Sequence, residues 1–338
     1  FGKGEENNVG SYLHPYTPQK VLVVYGGRSA ERSGLLGRVY ASLKQAGLPY
    51  VSLSGVQPNP RYELAQEGIA LCKREQVDFV LAIGGGSVID TAKAIAHGRA
   101  NPDIDIWDFW LGKKKVEKTT PVGVILTIPA SGSETSDSAV LTDETILQKR
   151  GLNTEFNRPA FAIMDPSLAA TLPRRQVACG VTDIMMHTLE RYLTPEGGES
   201  DITDRIAEGL LIAVRDAGRR AIANPRDYEA RASLMWAGSV SHNDYTGCGR
   251  KRLFPVHKLE HELSAFRDEI AHGAGLSVLF PAWALYEMKN DFPRFAQLAN
   301  RVFGVEMDFH HPERTAREGI LTMKRFFEEI GMPTHLAQ

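Results

Sequence analysis

The segment "DFVLAIGGGSVIDTAKAIAHG" (78–98) limits the possible folds of this chain more than any other stretch. An apolar run, three glycines and a helical pattern follow one another, which predicts a buried strand, a tight turn and a helix. Strands that alternate with helices predict a parallel sheet with helices on both faces. The chain repeats this alternation, with further apolar runs in 20–27, 49–55 and 121–136 and amphipathic stretches at 34–47 and 62–76.

The pattern changes after about residue 171, where long helical stretches such as 201–223 and 314–331 dominate and strand signals are weak. A chain of 338 residues is long enough for two domains, each with its own core. The sequence therefore predicts an α/β domain at residues 1–171 and an all-helical domain at residues 172–338.

Composition excludes several classes of protein. A net charge of -2, from 39 Lys and Arg against 41 Asp and Glu, argues against a nucleic-acid binder. The apolar runs are too short to span a bilayer, and no signal peptide is apparent, although the chain begins at Phe1 rather than Met. Cys72, Cys179 and Cys248 lie far apart without a C-x-x-C pair, which is typical of a reducing compartment. We expect a cytoplasmic protein that binds neither nucleic acid nor membrane.

The "GGGS" turn (84–87) is suited to binding a diphosphate. It follows a strand and begins a helix, so its backbone N–H groups and the helix dipole attract an anion, and glycine lets the backbone approach it. The alternative is an ordinary tight turn with Ser87 as the helix N-cap. Three consecutive glycines are more than capping needs, which favours phosphate binding.

The segment "YGGRSAERSG" (25–34) lacks the usual G-x-G-x-x-G pattern. In nicotinamide-binding folds, an acidic residue at the end of such a strand binds the ribose 2′-hydroxyl and repels a 2′-phosphate. Here Gly27, Arg28 and Ser29 stand at that point, with Arg32 close behind. Small, polar and basic residues favour NADP(H), and the alternative is a solvated loop with ordinary surface arginines.

Five residues form a candidate metal centre. Asp183 and His187 are four apart in a predicted helix and share one face, where they can bind a metal or form an intrahelical hydrogen bond. His257, His261 and His272 lie within sixteen positions, the first two again four apart. A cation held by one carboxylate and three neutral imidazoles keeps a net positive charge and can polarise an alcohol or carbonyl oxygen. A catalytic tetrahedral metal needs an open position, so not all five residues bind it, and spacing alone allows either His257 or His261.

The chain resembles the iron-containing alcohol dehydrogenase family, and within it the NADPH-dependent butanol dehydrogenase-like branch. The resemblance implies a fold like that of dehydroquinate synthase, with an N-terminal nucleotide-binding domain and a C-terminal helical metal domain, and it implies a homodimer. The matching segments extend through nearly the whole chain and are "YGGRSAERSG", "PNP" (58–60), "GGGSVIDTAKAIA", "TIPASGSETS", "FAIMDPSLAATLPRRQVACGVTDIMMHTLERYL" and "HKLEHELSAF" with "AHGAGL".

The resemblance also implies a role for each matching position. It implies that the metal ligands are Asp183, His187, His257 and His272. It places His261 near the nicotinamide, where an imidazole can relay the proton released by the alcohol. It assigns the diphosphate loop and helix start to Gly85, Gly86, Ser87 and Asp90. Further implied cofactor contacts are Thr127, Ser131, Ser133 and Lys149, with Gly27 and Ser29 in the loop that accepts NADP.

Three features depart from the family pattern. The segment between His261 and His272 is one residue longer, which is either absorbed as a loop bulge or shifts the ligand choice to His261. The run "NDYTGCGRKRLFPV" (243–256) is more basic than usual and lacks an expected tryptophan. Family members continue through further C-terminal helices, so we expect the helical domain to be incomplete at its end.

These features predict a metal-dependent, NADP(H)-linked oxidoreductase that interconverts primary alcohols and aldehydes by hydride transfer. The resemblance favours Fe²⁺, with Zn²⁺ as the alternative. Two other functions stay open at this point. One is a metal-dependent lyase of the dehydroquinate synthase kind, for which Lys251 and Arg252 would supply cations, and the other is a non-enzymatic metal or nucleotide sensor.

Overall fold

The computed structural model describes residues 1–194 and 200–337. The chain divides between Ala169 and Ala170 into two compact units, whereas the sequence pattern placed the join at residues 171 and 172. The predicted fold class is confirmed, because the first unit contains a parallel sheet and the described part of the second unit is helical.

Residues 1–169, all of which the structure describes, contain seven strands and six α-helices. The strands are β1 (Val21–Tyr25), β2 (Tyr50–Leu53), β3 (Phe79–Gly84), β4 (Val122–Leu126), β5 (Ser138–Asp143), β6 (Gln148–Asn153) and β7 (Phe161–Met164). The helices are α1 (Val9–Leu13), α2 (Ser29–Arg32), α3 (Leu35–Gln45), α4 (Tyr62–Glu75), α5 (Gly86–Ala100) and α6 (Trp107–Trp110).

Five strands form a parallel sheet in the order β2–β1–β3–β4–β7. β3 and β4 are buried along their whole length, as their continuous apolar sequences predict. The strand order changes direction at β1, so the gap between β1 and β3 is the switch point. In open parallel sheets, ligands bind beyond the carboxyl ends of the strands at such a point.

The other two strands, β5 and β6, form an antiparallel hairpin whose register runs from Ser138 opposite Asn153 to Asp143 opposite Gln148. The sequence pattern did not predict this hairpin. β6 reads "QKRGLN", which is largely polar and shows no alternation of apolar residues.

In the described part of residues 170–338 there are seven α-helices and no strand. They are α7 (Arg174–Leu193), α8 (Asp201–Ala223), α9 (Tyr228–His242), α10 (Pro255–Phe266), α11 (His272–Glu287), α12 (Phe292–Phe303) and α13 (Pro312–Glu329).

Helix α7 is the central helix of this second unit, and nearly all of its side chains from Val177 onward are buried. α11 approaches it so closely that a Cβ on Gly273 would lie 2.5 Å from the carbonyl oxygen of Cys179. The two helices therefore meet backbone against backbone at the start of α11. Among the helices of the described residues, none combines the length and apolarity that a transmembrane span requires.

Candidate metal centre and nucleotide site

The carboxyl ends of β1, β3 and β4 lie side by side at one edge of the sheet, because the register aligns the last residues of these strands. The segments that follow them, 26–29, 84–87 and 127–133, therefore begin at neighbouring positions. The structure thus brings most of the predicted cofactor residues to the edge at which parallel sheets bind ligands.

The turn at residues 84–87 is closely packed around its glycines. A Cβ on Gly85 would lie 2.8 Å from the Cβ of Ile128, and a Cβ on Gly86 would lie 2.4 Å from the hydroxyl oxygen of Ser131. α5 begins at Gly86 with Gly85 as its N-cap, so Ser87 lies inside the first turn. The alternative in which Ser87 caps the helix is therefore wrong. The amide end of this 15-residue helix lies at the sheet edge, where it can bind an anion.

Asp90 and Ser133 are buried and bind each other. The Ser133 hydroxyl donates to Asp90 Oδ1 at 2.5 Å, and the Val140 N–H donates to Asp90 Oδ2 at 2.8 Å. The Lys93 ammonium donates to the carbonyl and the hydroxyl of Ser133, both at 2.8 Å. Burial raises the pKa of Asp90 and lowers the pKa of Lys93 to about 8. These contacts hold the turn after β4 against α5, and direct contact of Asp90 and Ser133 with a cofactor stays a prediction.

The other predicted cofactor residues differ in exposure. Gly27 and Ser29 are exposed, and nothing lies within 4 Å of the Cβ position of Gly27. Thr127 and Ser131 are half-buried in the turn after β4. Lys149 is buried in β6, and its charge opposes the rise in the pKa of the Asp90 carboxyl. The cofactor contacts of these residues also stay predictions.

Asp183, His187, His257 and His272 converge in the second unit. α7 carries Asp183 and His187, α10 carries His257, and His272 is the first residue of α11. Measured from Asp183 Oδ1, the distances are 3.7 Å to His187 Nδ1, 3.5 Å to His257 Nε2 and 3.6 Å to His272 Nε2. The first three residues are buried, and the side chain of His272 is 28% exposed.

These distances suit atoms that share one cation. Two ligand atoms of a tetrahedral ion with bonds of about 2.1 Å lie about 3.4 Å apart. Good hydrogen bonds are shorter than the 3.5 to 3.7 Å measured here. Asp183 Oδ1, His187 Nδ1 and His257 Nε2 are buried and form no hydrogen bond with any described residue. Because buried polar atoms almost always have partners, this donor set fits a metal ion.

Burial and nearby charges shift the pKa values of two histidines in this cluster, His187 and His257. Burial, followed by His242 and His257, lowers the pKa of His187 well below its usual value, which keeps the imidazole neutral as metal binding requires. Burial also lowers the pKa of His257, but Glu190 and Asp183 outweigh it and raise the pKa to about 9. A metal ion that binds His257 therefore has to displace a proton.

His261 lies beside this cluster on α10, half-buried, with its ring centroid 5.7 Å from that of His272. One group of potential ligand atoms joins Asp183, His187 and His257, and a second joins Glu260, His261 and His272. Residues 267–271 connect α10 to α11. Despite the extra residue in the segment before His272, the Nε2 of His272 also lies 3.6 Å from Asp183 Oδ1. The geometry favours His257 over His261 as a ligand.

Two buried glutamates that the sequence analysis did not identify contact the candidate ligands. Glu190 Oε2 is hydrogen-bonded to His257 Nδ1, and Glu260 Oε2 is hydrogen-bonded to His272 Nδ1. Both glutamates are 0% exposed. Helical spacing could have found them, because Glu190 lies three residues after His187 and Glu260 three after His257.

The basic run before His257 is matched by carboxylates. Arg250, whose side chain is 0% exposed, pairs with Asp204, and Arg252 pairs with Asp244. Each of these two guanidinium groups therefore already has a carboxylate partner within the protein, which makes it a poorer candidate for binding a highly charged substrate.

Models of the same protein family match both units of the chain. A family model described as "Iron-containing alcohol dehydrogenase" matches residues 1–166. A second model, described as "Fe-containing alcohol dehydrogenase family, C-terminal", matches residues 177–338. Together they account for nearly the whole chain.

Individual relatives differ in the nicotinamide cofactor that their names give. The chain is 39% identical to the NADH-dependent butanol dehydrogenase A of Clostridium acetobutylicum, over 100% of this chain and 86% of that protein. It is 37% identical, with the same coverage, to an NADPH-dependent aldehyde reductase of Escherichia coli. The crystal structure of the NADH-dependent butanol dehydrogenase A of Thermotoga maritima has a TM-score of 0.96 at 38% identity and covers 100% of this chain and 83% of that one.

Proposed function

Because the chain belongs to the iron-containing alcohol dehydrogenase family and is an oxidoreductase of alcohols and aldehydes, we propose that it interconverts primary alcohols and aldehydes with NADP(H) and Fe²⁺. The observation that carries this proposal is the convergence of three imidazoles on the carboxylate of Asp183.

The proposed metal ligands are Asp183, His187, His257 and His272. One carboxylate and three neutral imidazoles leave a divalent ion with a net positive charge, and this donor set suits Fe²⁺ as well as Zn²⁺. The matching family models favour iron, and the relatives lend no support to zinc. When bound, the ion would supply Lewis acidity at the substrate oxygen, and the nicotinamide would donate or accept the hydride.

The chain's own residues would bind the cofactor and move the proton. The amide end of α5 and the glycines before it are proposed to hold the diphosphate, with Thr127 and Ser131 as neighbouring contacts. His261, half-buried beside His272, is proposed to take up the proton of the alcohol, because imidazole is the side chain suited to proton transfer near neutral pH.

The oxidation of NADPH with butanal, in metal-free protein and after addition of Fe²⁺ or Zn²⁺, tests the reaction. We expect turnover with Fe²⁺ and one NADPH consumed per butanal reduced. Absence of turnover in every metal-loaded sample would contradict the proposal. A lyase would consume no net NADPH, and a sensor would bind the cofactor tightly without turnover on a broad panel of alcohols and aldehydes.

Substitution of the histidines tests the ligand set. We expect His257→Ala and His272→Ala to lose the metal, whereas His261→Ala keeps it and loses turnover. Elemental analysis of protein purified without oxygen measures the first property, and the butanal assay measures the second. If His257→Ala retained the metal and His261→Ala lost it, the assignment of these two residues would be reversed.

The proposed preference for NADP(H) rests on the exposed, uncharged Gly27 and Ser29 after β1. Open space around Gly27 leaves room for an Asp side chain, so Gly27→Asp would place a negative charge in this loop without a clash. We expect it to raise the Kd of NADPH about tenfold and to change that of NADH much less. Gly209→Asp, at an exposed glycine of α8 with equally open surroundings, controls for net charge. A wild-type protein that binds NADH more tightly than NADPH would contradict this interpretation.

A further inference from the structure

We propose that Glu190 and Glu260 are positioning residues of the metal centre. Each accepts a hydrogen bond from Nδ1 of one ligand histidine and thereby directs the Nε2 atom of that ring to the metal. The inference rests on the proposed metal function and deepens it, since it assigns two residues outside the ligand set.

Glu190 connects α7 to α10. It lies one turn after His187 and two turns after Asp183, so α7 presents all three side chains on one face. Its Oε2 is hydrogen-bonded to His257 Nδ1, and its Oε1 accepts from the backbone N–H of Val256 at 2.5 Å and of His257 at 3.3 Å. One buried carboxylate therefore fixes both the start of α10 and the rotation of the His257 ring.

Glu260 connects α10 to α11 in the same way. It lies one turn after His257, and its Oε2 is hydrogen-bonded to His272 Nδ1. Gly275 on α11 provides the room for this side chain, because a Cβ there would lie 2.8 Å from Glu260 Cγ. The carboxylate is fully buried, and its position is set by the packing of two helices.

These contacts decide which ring nitrogen is available to a metal. A carboxylate accepts hydrogen bonds, so the Nδ1 atoms of His257 and His272 carry a hydrogen, and Nε2 is the ring nitrogen left to bind a metal, in His257 once its proton is displaced. The two Nε2 atoms lie 3.5 and 3.6 Å from Asp183 Oδ1. The carboxylates thus select the tautomer and the ring orientation that the ligand set needs, and such partners also increase the basicity of ligating histidines.

The binding of Co²⁺ to metal-free protein, with its visible absorption as a signal of ligand geometry, tests the proposal. We expect Glu260→Ala to raise the Kd of Co²⁺ by about 10- to 100-fold and to change the absorption spectrum. Glu260→Gln keeps an oxygen acceptor for Nδ1–H, so we expect a smaller loss and the wild-type spectrum. Glu190→Gln should weaken the binding of Co²⁺ about as much as Glu260→Gln does. Gly275→Ala should also weaken it, because the added methyl group displaces Glu260.

Glu262→Gln is the matched control, because Glu262 is exposed on the same helix. It should leave affinity and spectrum unchanged. A merely structural role for the buried glutamates would lower Tm in Glu260→Ala and leave Co²⁺ affinity and spectrum as in wild type, which would overturn the proposal. Failure of wild type itself to bind Co²⁺ would instead refute the metal centre as a whole, and this inference with it.

Discussion

A Cβ on Gly86 would lie 2.4 Å from the hydroxyl oxygen of Ser131. The turn after β3 and the turn after β4 therefore touch at a position where only a hydrogen atom fits. Both turns lie at the sheet edge proposed to bind the cofactor, so their contact determines the shape of that edge.

We expect Gly86→Ala to raise the Kd of NADPH about tenfold, because the added methyl group must displace the Ser131 side chain at the proposed cofactor edge. Titration of the nicotinamide fluorescence measures the change. Gly37→Ala is the control, since Gly37 is exposed within α3 and nothing lies within 4 Å of its Cβ position. It should leave NADPH binding unchanged and stabilise the fold by about 0.5–1 kcal/mol. Equal NADPH binding by Gly86→Ala and wild type would contradict the proposed site.

Replacing Lys93 by Met should destabilise the protein by about 3–5 kcal/mol and weaken NADPH binding. The substitution removes the cation that most strongly favours the charged form of the buried Asp90 carboxyl, and it removes the hydrogen bonds to Ser133. Urea denaturation measures the loss of stability. Lys73→Met, at an exposed position of α4, should change stability by less than about 0.5 kcal/mol. If the two variants were equally stable, the buried ammonium group would have no structural role.

The stability of the protein should fall between pH 6.5 and pH 4 through His97. Burial lowers the pKa of this imidazole to about 4, and its Nε2 donates to Asn157 Oδ1 at 2.8 Å. The unfolded chain binds a proton at the ordinary pKa of 6.5, so acid favours unfolding until the folded form also titrates near pH 4. At pH 5 this group should cost about 2 kcal/mol relative to pH 7.5.

Urea denaturation of wild type and His97→Gln at the two pH values checks this prediction, with tryptophan fluorescence as the signal, to which Trp107 and Trp110 contribute from the first unit and Trp236 and Trp283 from the second. The variant should lose less stability on acidification than wild type. The same loss in both proteins would show that His97 is not the group responsible.

Asp204 should be essential for the stability of the helical unit. It accepts hydrogen bonds from Arg294, at 2.7 Å to Nη2, and from Arg250. Burial raises the pKa of its carboxyl, but these two guanidinium groups outweigh it and hold the pKa well below the usual range. The contribution of Asp204 to the free energy of unfolding is therefore fully present above about pH 4, and it is lost as the pH falls through the lowered pKa of this carboxyl.

We expect Asp204→Ala to lose about 3–5 kcal/mol, because two largely buried guanidinium groups lose their carboxylate. Asp216→Ala, which breaks the exposed pair with Arg215, should cost less than about 1 kcal/mol. Thermal unfolding at pH 7.5 compares the two variants. A similar Tm for both would contradict the importance assigned to the buried pair.

The elements that sequence predicted well are those with strong periodicity over a sufficient length. α8 occupies the same residues, 201–223, that its amphipathic pattern indicated, and the buried run before the glycines forms β3. The hairpin of β5 and β6 was missed because β6 has no hydrophobic pattern of its own and forms a strand by pairing with β5.

Only part of the candidate site can be predicted from helical spacing. Helical spacing indicates that Asp183 and His187 lie together, but it cannot separate His257 from His261, since both lie on one face of α10. Tertiary packing separates them, by placing His257 Nε2 at 3.5 Å from Asp183 Oδ1. Helical spacing likewise places Glu190 on the face of His187, but it cannot indicate the hydrogen bond to His257, which lies 67 residues further along the chain.

The backbone contact at Gly273 also bears on the position of His272. Gly273 follows His272 directly, and its contact with Cys179 leaves α11 no room to move closer to α7. The backbone of His272 is therefore held close to α7, and its Nε2 lies 3.6 Å from Asp183 Oδ1. The helix contact therefore sets the position from which His272 enters the proposed ligand set.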